Sequence, residues 1–112
     1  MAMLGELSRH LLKKRATILY PFKERELVPL PKGYRGKISF NRDLCVGCTL
    51  CAKDCPSNAC EISKDEKGNR PVFHLDRCCF CGQCEETCPR KAISLTNEFE
   101  LAVYDRSSLA VR

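Results

Sequence analysis

Two runs of cysteine carry the residue types and spacings in this chain that could do chemistry. Cys45, Cys48, Cys51 and Cys55 are followed by Pro56, and Cys78, Cys81, Cys84 and Cys88 by Pro89, so each run reads C-x2-C-x2-C-x3-C-P. Three thiolates three residues apart let one loop wrap a corner of an iron–sulfur cubane, each sulfur reaching a different iron. The fourth cysteine stands beyond a short helical turn, and the proline then forces the chain away. Two other uses of ten cysteines compete with this one. A disulfide framework needs an oxidising compartment. The N-terminus, Met1-Ala2-Met3-Leu4-Gly5-Glu6, shows neither the apolar stretch nor the cleavage site of a secretory signal and points to the cytosol. Structural zinc takes four ligands, usually as paired CxxC knuckles, and a CxxCxxCxxxC run leaves it a spare sulfur. The spacing therefore favours two 4Fe-4S clusters.

The runs resemble those of two-cluster ferredoxins, in which the fourth cysteine of each run ligates the other cluster. That resemblance implies that Cys45, Cys48, Cys51 and Cys88 hold the first cluster, and Cys78, Cys81, Cys84 and Cys55 the second.

The elements that must position these sulfurs emerge from an internal repeat. A shift of 33 residues superposes Phe40 on Phe73, Asp43 on Asp76, all four cysteines and the proline of one run on those of the other, and Ala59 on Ala92. A pseudo-twofold α+β domain is expected, a two-cluster bacterial-ferredoxin fold of short antiparallel strands and helical turns. Strands are predicted at 37–41, 59–63, 71–75 and 92–96, with Asp65-Glu66-Lys67-Gly68-Asn69 as a turn. The same shift sets Cys60 on Ile93 and Cys79 on Val46, so both spare cysteines are expected to fill apolar positions. Gly47 and Gly82 are expected to bring backbone N–H groups to the cluster sulfurs. Val46, Leu50, Ile62, Phe80 and Ile93 are candidates for the apolar surround that excludes water.

The flanking segments differ in character. Residues 3–16 are predicted to form an amphipathic helix, with Leu4, Leu7, Leu11 and Leu12 on one stripe and Arg9, Lys13, Lys14 and Arg15 around it. It is too short and charged to span a bilayer, which leaves docking on a partner or lying at a membrane surface. Pro21, Pro29, Pro31, Gly33 and Gly36 predict an extended arm over 20–37. In the tail, alternation of Phe99, Leu101 and Val103 suggests a strand, with disorder expected after Ser107. The chain thus divides into a helix and docking arm (1–36), a two-cluster domain (37–98) and a docking tail (99–112). Charge divides likewise: residues 1–42 hold ten Lys and Arg against three Asp and Glu, residues 43–112 nine against eleven. Two oxidised clusters with their thiolates add about −2 each. A basic arm on a negative domain suggests an acidic partner or an anionic lipid surface.

Over nearly its whole length the chain resembles one family. Ala16-Thr17-Ile18-Leu19-Tyr20-Pro21-Phe22, then Tyr34-Arg35-Gly36-Lys37, the two cysteine runs, Leu95 to Leu101 and Tyr104-Asp105 are similar to the eight-iron ferredoxin-like subunit of complex I and of membrane-bound, energy-converting NiFe hydrogenases. The likeness implies a peripheral subunit at the cytoplasmic face of the membrane. There it would relay single electrons between a donor and a neighbouring iron–sulfur small subunit, beside a large catalytic subunit and a membrane arm. The short link from Arg35-Gly36-Lys37 to Cys45 lacks an insertion usual in complex I, which favours the hydrogenase type over quinone oxidoreductase subunit I. A freely diffusing ferredoxin is the other alternative, but it has little use for a basic, proline-rich arm. No Gly-rich phosphate loop and no Ser/His/Asp set is present, and His10 and His74 have no second ligand at metal spacing. Lys13-Lys14-Arg15 is too short a patch to suggest nucleic acid. The expectation is a relay with no active site of its own.

Overall fold

The computed structural model describes residues 3–66 and 68–112; Met1, Ala2 and Lys67 lie outside the described residues. The chain forms two compact units, Met1–Leu30 and Pro31–Arg112.

In the first unit, helix α1 (Met3–Leu11) keeps Leu4, Leu7 and Leu11 exposed. It stops at Leu11 rather than running to residue 16. Lys13 N–H turns back to the carbonyl of His10 (3.2 Å), an i to i−3 bond that tightens the last turn and ends the helix. Arg15 is held by the following loop instead, donating from Nε to the Thr17 carbonyl (3.1 Å) and pairing with Glu24. The arm is not plainly extended either. Leu19 O accepts from the N–H of Lys23 (3.0 Å) and of Glu24 (3.3 Å), and Arg25–Leu27 forms a 3₁₀ turn. Pro21 and Pro29 bracket this stretch without interrupting it, so its backbone donors stay available.

The second unit obeys the repeat in its register as well as its residues. Its elements are β1 (Ile38–Phe40), α2 (Leu50–Lys53), β2 (Cys60–Asp65), β3 (Gly68–His74), α3 (Gln83–Glu86), β4 (Ile93–Leu95) and β5 (Ala110–Val111). β1 pairs antiparallel with β4, Phe40 opposite Ile93; β3 pairs antiparallel with β2, Phe73 opposite Cys60. The 33-residue shift carries one pairing onto the other, and α2 onto α3. Phe40 and Phe73, equivalent under that shift, meet edge to face with ring centroids 5.8 Å apart.

All four predicted strands are present, and the inner hairpin is longer than expected because its turn is tighter. Asp65 already faces Gly68, whose φ of 109° an ordinary side chain would resist. Pro71 is tolerated because β5 meets β3 only at Phe73 and His74, leaving the proline at an edge.

Ahead of β1 the pairing runs on: Gly36 N–H donates to Thr96 O and Lys37 N–H to Glu98 O, both at 2.8 Å. A Cβ on Gly36 would collide with the Glu98 carbonyl and lie 2.6 Å from that of Thr96. Tyr34 meets Phe99 edge to face at 6.2 Å.

The tail reverses the expectation. Residues 99–103 form no strand, whereas a 3₁₀ helix (Arg106–Leu109) and β5 follow Asp105. Asp105 caps that helix, accepting from Ser107 N–H (3.0 Å) and Oγ (2.7 Å), while Arg106 pairs with Asp76. Leu75 N–H then reaches Leu109 O at 3.0 Å, and Leu109 and Val111 pack on the core. Local capping, rather than apolar alternation, orders this segment.

The buried apolar residues are few and small: Ile38, Cys51, Ala59, Cys60, Phe73, Leu75, Ala92 and Ile93. So thin a core calls for a further source of cohesion.

Candidate iron–sulfur centres

Two cavities flank this core, the first lined by four cysteines and the second by six. Cys45, Cys48, Cys51 and Cys88 line the first, about 420 Å³ with its open mouth, together with Val46, Leu50, Ile62 and Ile93. Cys55, Cys78, Cys81 and Cys84 line the second, about 380 Å³ with its open mouth, with the spare Cys60 and Cys79 and with Ile38, Phe73, Phe80 and Leu95. The short helices bring the two close. α2 carries Cys51 to the first cavity, and Cys55, just past its end, faces the second; α3 does the converse with Cys84 and Cys88.

The loops around the cysteines are bent identically by unlike residues. Gly47 (φ 72°) corresponds to Phe80 (51°), Thr49 (64°) to Gly82 (82°), and Asn58 (49°) to Lys91 (48°), all left-handed. Such strain in Phe, Thr and Lys persists only where the surroundings enforce it. It turns main-chain donors inward: Ala59 N–H lies 3.2 Å from Cys55 Sγ and Ala92 N–H 3.3 Å from Cys88 Sγ, equivalent bonds in the two halves. Phe80 N–H lies 3.4 Å from Cys78 Sγ. Ala59, Ala92 and Phe80 are thus donors to cysteine sulfurs. Gly47 also serves a close approach, since a Cβ there would lie 2.7 Å from the Asn69 carbonyl.

The electrostatics follow burial and these bonds. Burial pushes the Cys84 thiol up to about 11 and raises Cys78 as well. At Cys55 burial acts upward too, but the hydrogen bonds of Ser57 and Ala59 outweigh it and leave the thiol below its ordinary value. Thiols held protonated by burial become thiolates when a cation replaces the proton, so this donor set suits iron. Sulfur-lined cavities, rather than points of convergence, suit a cluster over a single ion. Among the described residues no three Cys, His, Asp or Glu side chains are grouped as a single-ion site requires.

The spare cysteines part company. Cys60 is buried as expected, but its thiol donates to Cys51 Sγ at 3.7 Å, which lowers Cys51 and, with burial, raises Cys60. Cys79 is exposed, not core filler, and so is its counterpart Val46, although each borders its cavity. Of the expected apolar surround, Phe80 and Ile93 are at least half-buried; Val46 and Leu50 line the first cavity but face solvent on their outer side.

Arg35 was quoted above only as part of a family segment. Its Nη1 donates to the carbonyl of Cys81 at 2.8 Å, fixing the second loop from outside. His74 stands 3.4 Å from Glu61, and Arg77 pairs with the same carboxylate, away from the sulfurs.

Comparison with known proteins decides the family. Residues 44–92 match the model of the 4Fe-4S dicluster domain. This stretch belongs to that family. The dicluster domain carries two 4Fe-4S clusters, for which the two sulfur-lined cavities provide room and ligands. The likeness extends beyond it. NADH-quinone oxidoreductase subunit I of Acinetobacter baylyi is 47% identical over 111 residues, covering 89% of this chain and 61% of that protein. NAD(P)H-quinone oxidoreductase subunit I of Crocosphaera subtropica is 43% identical over 108 residues, covering 89% and 53%. A chain of the membrane-bound sulfane sulfur reductase, an archaeal respiratory membrane complex, is similar with a TM-score of 0.66 and 30% identity over 87% of this chain and 51% of that one. The likeness to these quinone oxidoreductase subunit I chains therefore extends well beyond residues 44–92. The chain spans about half the length of the curated relatives it matches. Among the described residues no helix is long and apolar enough to cross a membrane.

Proposed function

We propose that this chain is an electron-relay subunit, without an active site of its own, in a membrane-associated complex related to complex I. The observation that carries this reading is the pair of adjacent cavities, the first walled by four cysteines and the second by six, each including four that come from both runs. In it, Cys45, Cys48, Cys51 and Cys88 hold the first 4Fe-4S cluster and Cys78, Cys81, Cys84 and Cys55 the second. When bound, such clusters supply reversible one-electron oxidation and reduction at potentials set by charge, hydrogen bonding and solvent access. The chain's own part is to hold the thiolates, direct N–H groups of Ala59, Ala92 and Phe80 at them, and keep the two sites side by side through α2 and α3.

The names of the relatives support a multi-subunit membrane complex as the setting. We assign the chain to the energy-converting NiFe hydrogenase type, on the short link between Lys37 and Cys45. Its partners are then an iron–sulfur small subunit, a large catalytic subunit and a membrane arm at the cytoplasmic face. Residues 1–36, with the exposed leucines of α1, and 99–112 are the docking segments on either side of the two-cluster domain. A quinone-reducing complex is the second reading, carried by the names of the curated relatives.

Purification of the tagged full chain from its native membranes tests both. Eight irons per chain with a nickel-containing companion is the expected result. Companions without nickel that reduce quinone select the second reading. A monomer with no companions overturns the subunit assignment in favour of a diffusing carrier. Deleting residues 1–16 is expected to free the chain from its complex with eight irons retained; loss of the clusters instead would contradict the docking role.

A further inference from the structure

The two halves share a backbone, so differences between the two cluster sites arise where side chains break the repeat. The sulfur-directed bonds of Ala59 and Ala92 are equivalent and contribute alike. Cys60 is not matched: its counterpart Ile93 has no polar atom. Cys60 is only 7% exposed, its side chain lines the second cavity, and its Sγ stands 3.7 Å from Cys51 Sγ of the first set in donor geometry. It therefore lies between the two sites, in contact with both.

We infer that Cys60 is a positioning residue whose S–H donates to the Cys51 sulfur and raises the reduction potential of the first cluster. The inference rests on the ligand reading above. With four cysteines already serving each site, Cys60 remains a thiol and keeps its proton. An electron added to the cluster places more negative charge on the ligand sulfurs, so a donor aimed at one of them favours the reduced state. Burial strengthens that preference because little water competes for the sulfur.

The test is a redox titration of the full chain in its complex, followed by electron paramagnetic resonance. The first cluster's signal is identified by its survival in Cys55→Ala. In Cys60→Ala and Cys60→Ile the equilibrium for reducing the first cluster is expected to fall about tenfold, 59 mV for one electron, with a smaller shift at the second cluster, whose cavity Cys60 borders while its S–H points to Cys51. Cys60→Ser restores a donor and is expected to stay near the unsubstituted value. Should the alanine variant lose iron, Cys60→Ile decides, because the fold already accepts isoleucine at the equivalent Ile93. An unchanged first potential in Cys60→Ile, or a serine variant shifted as far as the isoleucine one, overturns the inference. Eight irons in the unsubstituted chain support the ligand reading independently; fewer would overturn both.

Discussion

Arg35 donates to the carbonyl of Cys81 across 46 residues of sequence, at 2.8 Å. A residue ahead of the first strand thus fixes the loop that carries two cysteines of the second site. Arg35→Ala is expected to loosen that loop, with iron lost from the second site first; a hydrogen bond from a charged donor contributes about 1.5–3 kcal/mol, the low end applying at an exposed position. Arg35→Lys, lacking the planar fork, should recover only part. Iron release under mild chelation, monitored with cluster-specific resonance signals, measures the effect.

Gly36 admits no side chain. Gly36→Ala sets a methyl against the carbonyls of Thr96 and Glu98 and should separate the two segments that extend β1 and β4. The expected cost is about 1–3 kcal/mol, as for other overpacked sites. Chemical denaturation of the cluster-loaded chain would show it as a lower midpoint at unchanged slope.

Cys55→Ala should cost the second cluster and spare the first, because Cys55 faces the cavity of Cys78, Cys81 and Cys84. Iron content should fall by half. Loss of the first cluster's signal alone would show the ligand sets to be uncrossed.

Removing iron should unfold residues 31–112 as a unit, given how few side chains are buried there. Circular dichroism before and after anaerobic chelation tests this, and a chain that keeps its strand signal without iron would contradict it.

Asp105 gives the tail a pH dependence. The hydrogen bonds of Ser107 hold its carboxyl below the ordinary value in the folded state. Its contribution is therefore complete above the ordinary aspartate pKa and is lost as pH falls toward the lowered folded value. The protection factor of the Leu75 amide, bonded to Leu109 O, should fall as the solution is acidified. In Asp105→Asn, which caps without titrating, that protection factor should lose its acid dependence.

The two sites were largely legible in the sequence because cysteine spacing is a direct record of cluster geometry, and the repeat registered the strands. What escaped has a common physical cause. Left-handed Thr49, Phe80 and Lys91 have no propensity for that conformation, which among the four only Asn58 favours; it is imposed by the surrounding loops. Superposing Gly47 on Phe80 and Gly82 on Thr49 would have been the available signal. The repeat assigned Cys60 and Cys79 to apolar positions; Cys60 is buried there and also donates to Cys51, whereas Cys79 is exposed. The ordered tail depended on a cap at Asp105 and a distant partner, Asp76, neither visible to an argument from alternation.

The placing of Cys88 beside Cys45, Cys48 and Cys51 bears on how the molecule is made. A growing polypeptide that has left the ribosome only as far as Cys55 offers three thiols of the first cavity and one of the second. The missing sulfur is synthesised 33 residues later. In the crossed reading proposed above, the second site gains its last thiol at Cys84 and the first only at Cys88, so the site whose run is made first is the last to be complete.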